Sequence, residues 1–221
     1  MRTIVQLLNR RSHSVRGEQR RARRRAKTRL EILRAASSVF RKRGYASSGM
    51  REIALAADLS PGNLYHYFQS KDEILFFCQD GALDRLSAAL AIARKARGPV
   101  SARLRDLAAA HVLCVISEVE GASAHIEVDA LPRAMRKAIV KKRDAYEHGV
   151  RALVAAGMRR GELRRGDAMV MTRAFLGALN WTAHWYRPEG PESVAHVAQI
   201  VADYAVGGLT GPDGRVKGSQ T

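Results

Sequence analysis

Apolar residues in this chain recur at intervals of three and four, and no stretch alternates as a half-buried strand would. The pattern predicts helices from residue 28 almost to the end. A first helix carries Leu30, Leu33, Ala36 and Phe40 on one face, opens at Thr28 as its capping residue and stops at Gly44. A short second helix carries Met50, Ile53, Ala54 and Ala57. A third begins at Pro61 with Ser60 as its cap. A fourth opens at Lys71-Asp72-Glu73 and lines up Leu75, Ala82, Leu86 and Leu90. Gly98-Pro99 ends it, and the chain divides there. Residues 101–119, 132–157, 167–186 and 191–208 also scan as helices, with a short one near 121–130. Segment 167–186, "DAMVMTRAFLGALNWTAHWY", is apolar nearly all round and is expected at the centre. Segment 191–208 is amphipathic through Val194, Val197, Val201 and Tyr204. Residues 210–221 are polar and Gly-rich, and are expected to fray.

Residues 50 to 68 fit a helix-turn-helix. Ala54 is the small residue needed where the two helices cross, and Leu59 anchors the turn. Ile53, Leu64 and Phe68 point into one small core. The tight turn, often Gly, falls here on Asp58, which can also enter the left-handed region. With Leu64 and Phe68 turned inward, Ser60, Pro61, Gly62, Asn63, Tyr65, His66 and Tyr67 face out. A short exposed helix rich in tyrosine and small polar residues is costly as plain surface and suits a DNA major groove. Gly62 permits close approach, Asn63 can read a base edge and tyrosine hydroxyls can reach phosphates. Lys71, at the start of the next helix, can clamp a phosphate.

Charge sharpens this picture. The formal net charge is +17, and residues 1–27 hold ten Arg and Lys against Glu18 alone. Such a block repels itself and is expected to be disordered when free. It reads either as a solubilising tail or as an arm laid along a polyanion. Lacking an apolar face, it suits nucleic acid better than membrane. The 221 residues, 46% apolar, suffice for one or two packed domains. Cys78 and Cys114 lie in apolar runs without CxxC spacing, so neither a disulfide framework nor a zinc site is expected, and a reducing compartment fits. No apolar run is long enough for a membrane span, and the basic N-terminus lacks the apolar stretch of a signal peptide. No metal, cofactor or membrane partner is called for, and the expected location is cytoplasmic.

The stretch from "ILRAASSVFRKRGYASSGMREIALAADLS" through "PGNLYHYFQSKDEIL" resembles the DNA-binding domain of TetR-type transcriptional regulators over residues 28 to 75. The resemblance implies an all-α homodimer. An N-terminal three-helix helix-turn-helix domain would bind a palindromic double-stranded operator. A C-terminal helical domain would hold a ligand and the dimer interface, usually in a repressor. The division expected is a basic arm at 1–27, the DNA-binding domain at 28–75, the ligand-binding and dimerisation domain at 76–209 and a tail at 210–221. The candidate DNA-contacting residues are then Thr28, Ser48, Arg51, Ser60, Pro61, Gly62, Asn63, Tyr65, His66, Tyr67 and Lys71. Asp58 and the long arm depart from the commonest pattern. "LGALNWTAHWYRPEGPESVAHVAQIVADYAVGGL" is similar to the branch that answers to acyl-CoA thioesters in fatty-acid and sterol-side-chain catabolism.

Helices 167–186 and 191–208 are expected to pair with their two-fold mates, Gly177 and Ala178 allowing close approach; the alternative is that they close the monomer's own core. For the effector, the candidates are His111, Cys114, Arg173, Gly177, Asn180, Trp181, His184 and Trp185. Arg173 either pairs with an acid or awaits an anion. Trp181 and Trp185 would surround an acyl chain. Arg133, Arg136, Lys137, Lys141, Lys142 and Arg143 would meet CoA phosphates or form a solvated face. Three other readings compete. A non-CoA hydrophobic ligand fits the same domain. An enzyme is disfavoured because the seven histidines show no HExxH, nucleophile elbow or phosphate loop. A charge-driven architectural nucleic-acid binder would not need the apolar second half.

Overall fold

The computed structural model describes the backbone of residues 2–116 and 128–210, with side chains from residue 17 onward. Among these residues there are eight α-helices and no strand. They are α1 (Arg2–Arg43), α2 (Met50–Ala56), α3 (Pro61–Tyr65), α4 (Lys71–Lys95), α5 (Val100–Ile116), α6 (Arg133–Arg159), α7 (Ala168–Trp185) and α8 (Val194–Thr210). A 3-10 turn at Val128–Ala130 precedes α6. The rest of the helix expected near 121–130 lies outside the described residues, as does the tail beyond residue 210.

The basic segment departs from expectation. The backbone of residues 2 to 27 is helical and continuous with α1. Thr28 is therefore no cap: it sits inside the helix, half-buried, and its hydroxyl donates to the Arg24 carbonyl at 3.2 Å. The run is rich in Arg, which favours helix, and contains no proline. It also extends a helix already nucleated by packing, so propagation outweighs charge repulsion. The stop at Gly44 is as expected, with φ +77°.

Ile32, Ala36 and Phe40 of α1 meet Ile53, Ala54, Leu64 and Phe68 in one small core, completed by Ile74 and Leu75 of α4. Helix α4 then runs on into the second core, where Ala82, Leu86 and Leu90 are buried. Helix α6 closes on it at Gly149, where a Cβ would lie 2.4 Å from Leu90 Cδ2.

The centre of the second half is α5, not α7. Helix α5 packs against α4, α6, α7 and α8, and buries nine of its residues. Helix α7 buries only the face with Met171, Phe175 and Leu179. Met169, Val170 and Trp185 point outward, as does Trp181 at 61% exposure. The stripe expected on α8 also splits: Val197 is buried against the monomer core, whereas Tyr204 is 78% exposed beside the outward Ile200. Both helices carry more apolar surface than one chain covers.

Candidate nucleic-acid interface and ligand cavity

The turn between α2 and α3 holds Asp58 at φ +55°, the left-handed value for which glycine is usual. Ser60 then caps α3, accepting from the Asn63 amide at 3.2 Å, and Pro61 occupies the first turn. This geometry turns Leu64 and Phe68 fully inward. Ser60, Pro61, Gly62, Asn63, Tyr65 and His66 are exposed, as is Arg51 on α2; Tyr67 is half-buried. Arg21, Arg24 and Arg25 of α1 come up beside Asn63, His66 and Tyr67, and together they line an open groove of about 630 Å³. The helical arm thus places a row of guanidinium groups next to the exposed residues of α3, a positive surface of the kind that attracts phosphates.

Three residues support this face from behind. The Arg29 guanidinium stacks over Phe68 and Phe77 at 4.3 and 4.5 Å, and donates to the Tyr67 carbonyl at 3.1 Å. The Tyr45 hydroxyl donates to Asp72. Lys71 donates to the carbonyls of Tyr45 and Ser48, at 2.7 and 2.9 Å, with its ammonium 4.2 Å from the Tyr45 ring centroid. Lys71 is therefore committed to holding the 45–48 turn against α4, which corrects its reading as a bare phosphate clamp. Ser48 is buried and donates to the Gly44 carbonyl at 2.5 Å, so it too serves the turn. The roles of Arg29 and Tyr45 had no sequence signal, because both depend on partners 27 to 38 residues away.

In the second half a cavity of about 380 Å³ lies between α4, α5, α6 and α7. Its apolar wall includes Ala82, Leu83, Leu86, Val115 and Leu176; its polar groups include His111, Arg143, Tyr146, Glu147, Arg173 and Asn180. Of the eight expected ligand residues, His111, Arg173, Gly177 and Asn180 line it. Cys114 does not; its thiol donates to the Ala82 carbonyl at 3.7 Å. Trp181, His184 and Trp185 are exposed, with Trp181 and His184 stacked 4.3 Å apart. The expectation that the two tryptophans surround an acyl chain is thus corrected. They share the outward side of α7, while the cavity takes the neighbouring edge of the same helix.

His111 organises the cavity's inner end. Burial holds its pKa down to about 4, against an opposing hydrogen bond with Asn180, so it is neutral at physiological pH. Asn180 Oδ1 can only accept, so Nε2 carries the proton and donates to it at 2.8 Å; Nδ1 then accepts from the Tyr146 hydroxyl at 3.0 Å. Burial pushes the Tyr146 phenol up in turn. At the mouth, Arg173 pairs with Glu147 at 3.4 Å, while Arg143 lies half-buried nearby, its pKa lowered by desolvation but still cationic. The basic helix face expected to meet a ligand divides. Lys142 binds Asp80 and Asp84 of α4 at 2.5 and 2.7 Å, and Arg136 pairs with Asp129 at 3.5 Å. Arg133, Lys137 and Lys141 are exposed. Tyr146, Glu147 and Gln79 are cavity residues that sequence reading did not single out; Arg143 was expected in the basic face that meets CoA phosphates or solvent. Among the described residues no three potential ligands cluster around a metal site, and no helix is long and apolar enough to cross a membrane.

An exposed helix-turn-helix joined by α4 to a helical domain with an internal cavity defines a DNA-binding regulator rather than an enzyme. The chain belongs to the TetR family. The family described as bacterial regulatory proteins, tetR family, matches residues 32–76, and the tetracyclin repressor-like C-terminal domain matches residues 97–209. The chain is 28% identical over 193 residues to the HTH-type transcriptional repressor KstR2 of Rhodococcus jostii, covering 83% of this chain and 92% of that one. The TetR family transcriptional regulator PfmR of Thermus thermophilus superposes with a TM-score of 0.71 at 31% identity, over 79% of this chain and 96% of that one. The structure of AibR in complex with isovaleryl coenzyme A and operator DNA superposes with a TM-score of 0.68 at 26% identity, over 82% and 97%.

Proposed function

We propose that this regulator is a repressor that binds a palindromic operator as a homodimer and releases it when an acyl-CoA thioester places its acyl group in the α4–α7 cavity. The observation that carries the reading is the cavity itself: an apolar wall on α4 and α5, closed inside by neutral His111 and rimmed by Arg143 and Arg173. An acyl chain fits the wall, the His111–Asn180 pair can meet a thioester carbonyl, and the rim favours an anionic end. The likeness to AibR, whose solved complex holds isovaleryl coenzyme A, supports the thioester class. Ala82, Leu83 and Leu86 belong to α4, whose first residue is Lys71. A ligand that shifts α4 therefore moves the seat of the recognition helix. To act, it must prefer the released form, and each tenfold preference amounts to about 1.4 kcal/mol per site.

The dimer follows from uncovered surface. Val170, Trp181 and Trp185 on α7 and Ile200 and Tyr204 on α8 are exposed on adjacent helices. Gly177 lines the cavity, so it is left to the ligand, and the pairing of α7 is assigned to the exposed Val170, Trp181 and Trp185. Two copies are also what a palindrome requires, with half-sites about 34 Å apart or a multiple of it. The cytoplasm, where the DNA is, is the matching location.

Calorimetry with a panel of acyl-CoAs, the matching free acids and hydrophobic cations, followed by operator release, tests the reading. Binding of thioesters and loss of the operator complex is the expected result. If only free acids or cations bind, the thioester assignment is wrong and a non-CoA effector takes its place.

A further inference from the structure

A second opening lies between the two halves of the chain, and neither the operator nor the acyl group accounts for it. It measures about 690 Å³, with one wall on α1 and the other at the end of α7 and the loop after it. Arg34, Arg41 and Lys42 line the first wall, Arg187 and Glu189 the second. Four cations thus face one carboxylate. Arg34 and Arg41 are seven residues apart on one face of α1, with Lys42 beside them. Among the described residues no ion pair engages any of the three. Arg187 is held in place by donating to the carbonyls of His184 and Tyr186, each at 3.1 Å.

The cleft and the cavity share a helical stripe. Arg173, Gly177 and Asn180 line the cavity, and His184 and Arg187 reach the cleft. Positions 173, 177, 180 and 184 recur at three and four and form one continuous edge of α7, and Arg187 follows just past the helix end. From Arg173 to His184 the helical edge is about 17 Å long. At Gly177 no side chain interrupts it, and a Cβ there would meet nothing within 4 Å.

We propose that the cleft is the phosphate site of the effector. The ligand seats its apolar end in the cavity, runs along the α7 edge over Gly177, and lays a phosphate-bearing nucleotide between the α1 cations and Arg187. The inference rests on the acyl-CoA reading above, and adds a subsite that joins the DNA-binding helices to the ligand domain. Because the anion touches α1 directly, its binding energy acts on the orientation of the helix that carries the arm.

Calorimetry on the full chain without DNA tests it, using isovaleryl-CoA, the corresponding pantetheine thioester and adenosine 3′,5′-bisphosphate. The double variant Arg41→Gln, Lys42→Gln is expected to bind the CoA thioester at least tenfold more weakly and the pantetheine thioester unchanged. Glu189→Gln, which removes the one opposing charge, is expected to tighten CoA thioester binding two- to threefold; a misfolded variant would not. Undiminished CoA thioester affinity in the double variant overturns the cleft while leaving the cavity reading intact. Binding of the bisphosphate, lost in the double variant, when no thioester binds supports the cleft as a phosphate site and removes the acyl-CoA reading. If neither binds, both fall. If the double variant loses operator affinity only, the cations serve the DNA backbone and the proposal is overturned.

Discussion

His111 on α5 donates through Nε2 to Oδ1 of Asn180 on α7, 2.8 Å away, at the inner end of the cavity. Nε2–H donates in either protonation state, whereas the Tyr146 hydroxyl that α6 gives to Nδ1 on the other side of the ring requires the imidazole to be neutral. One uncharged side chain thus joins three walls of the ligand domain.

That arrangement makes stability depend on pH in a defined window. The pKa of His111 falls from 6.5 in the unfolded chain to about 4 in the folded one, so the unfolded state binds more protons in between. Its contribution is full above pH 6.5 and is lost as pH falls toward 4, by about 3 kcal/mol at most. Urea unfolding at pH 7.5, 6 and 5 should show the loss. His111→Gln, which keeps polar contacts but does not titrate, should flatten it.

The arm should act through charge. Deleting residues 1–24 is expected to weaken operator and random DNA binding alike. The log–log salt dependence should become shallower by about 0.9 for each phosphate contact removed. The substitutions Arg21→Gln, Arg24→Gln and Arg25→Gln, which line the groove beside Asn63 and His66, should reproduce part of the change. An unchanged salt slope in both would remove the arm from the interface.

Lys71 should contribute to folding as well as to DNA binding. Lys71→Met takes a charged donor from the carbonyls of Tyr45 and Ser48. A loss of about 1–3 kcal/mol in urea unfolding is expected. Unaltered stability with weakened DNA binding would show that the phosphate role alone matters.

The dimer should be breakable on α8. Ile200→Glu with Tyr204→Glu places charge on two exposed apolar positions outside the monomer core, so the protomer should stay folded. Sedimentation at micromolar concentration is expected to show a monomer, with operator binding lost at the same time. A stable dimer from this variant would place the interface elsewhere.

Lys142 should carry signal more than stability. It ties α6 to Asp80 and Asp84 of α4, and these carboxylates raise its pKa against the opposing effect of burial. Being partly exposed, the pair should contribute little to folding. Lys142→Met is expected to keep effector affinity within about twofold but to reduce several-fold the ratio of effector affinities measured without and with operator. An equal ratio in both proteins would take Lys142 out of the coupling path.

The sequence by itself determined what local chemistry can settle. Helical spacing identified the helices, Gly44 and Pro61 marked a stop and a start, and Ile53, Ala54, Leu64 and Phe68 were legible as one core because they lie within a few turns of each other. Asp58 was readable as the left-handed turn residue for the same reason. What only the tertiary structure decided depends on which face of a helix meets which neighbour. Segment 167–186 looked central because it is apolar all round. The fold gave the centre to α5 and turned Trp181 outward, since apolarity does not say whether a surface is covered by its own chain or by another. Arg173 could have stood alone; it found Glu147, 26 residues away. Lys71 looked like a phosphate ligand until the 45–48 turn came within reach of its ammonium. The helical arm is the reverse case: its charge was plain, but its conformation was set by continuity with a packed helix, which no count of charges contains.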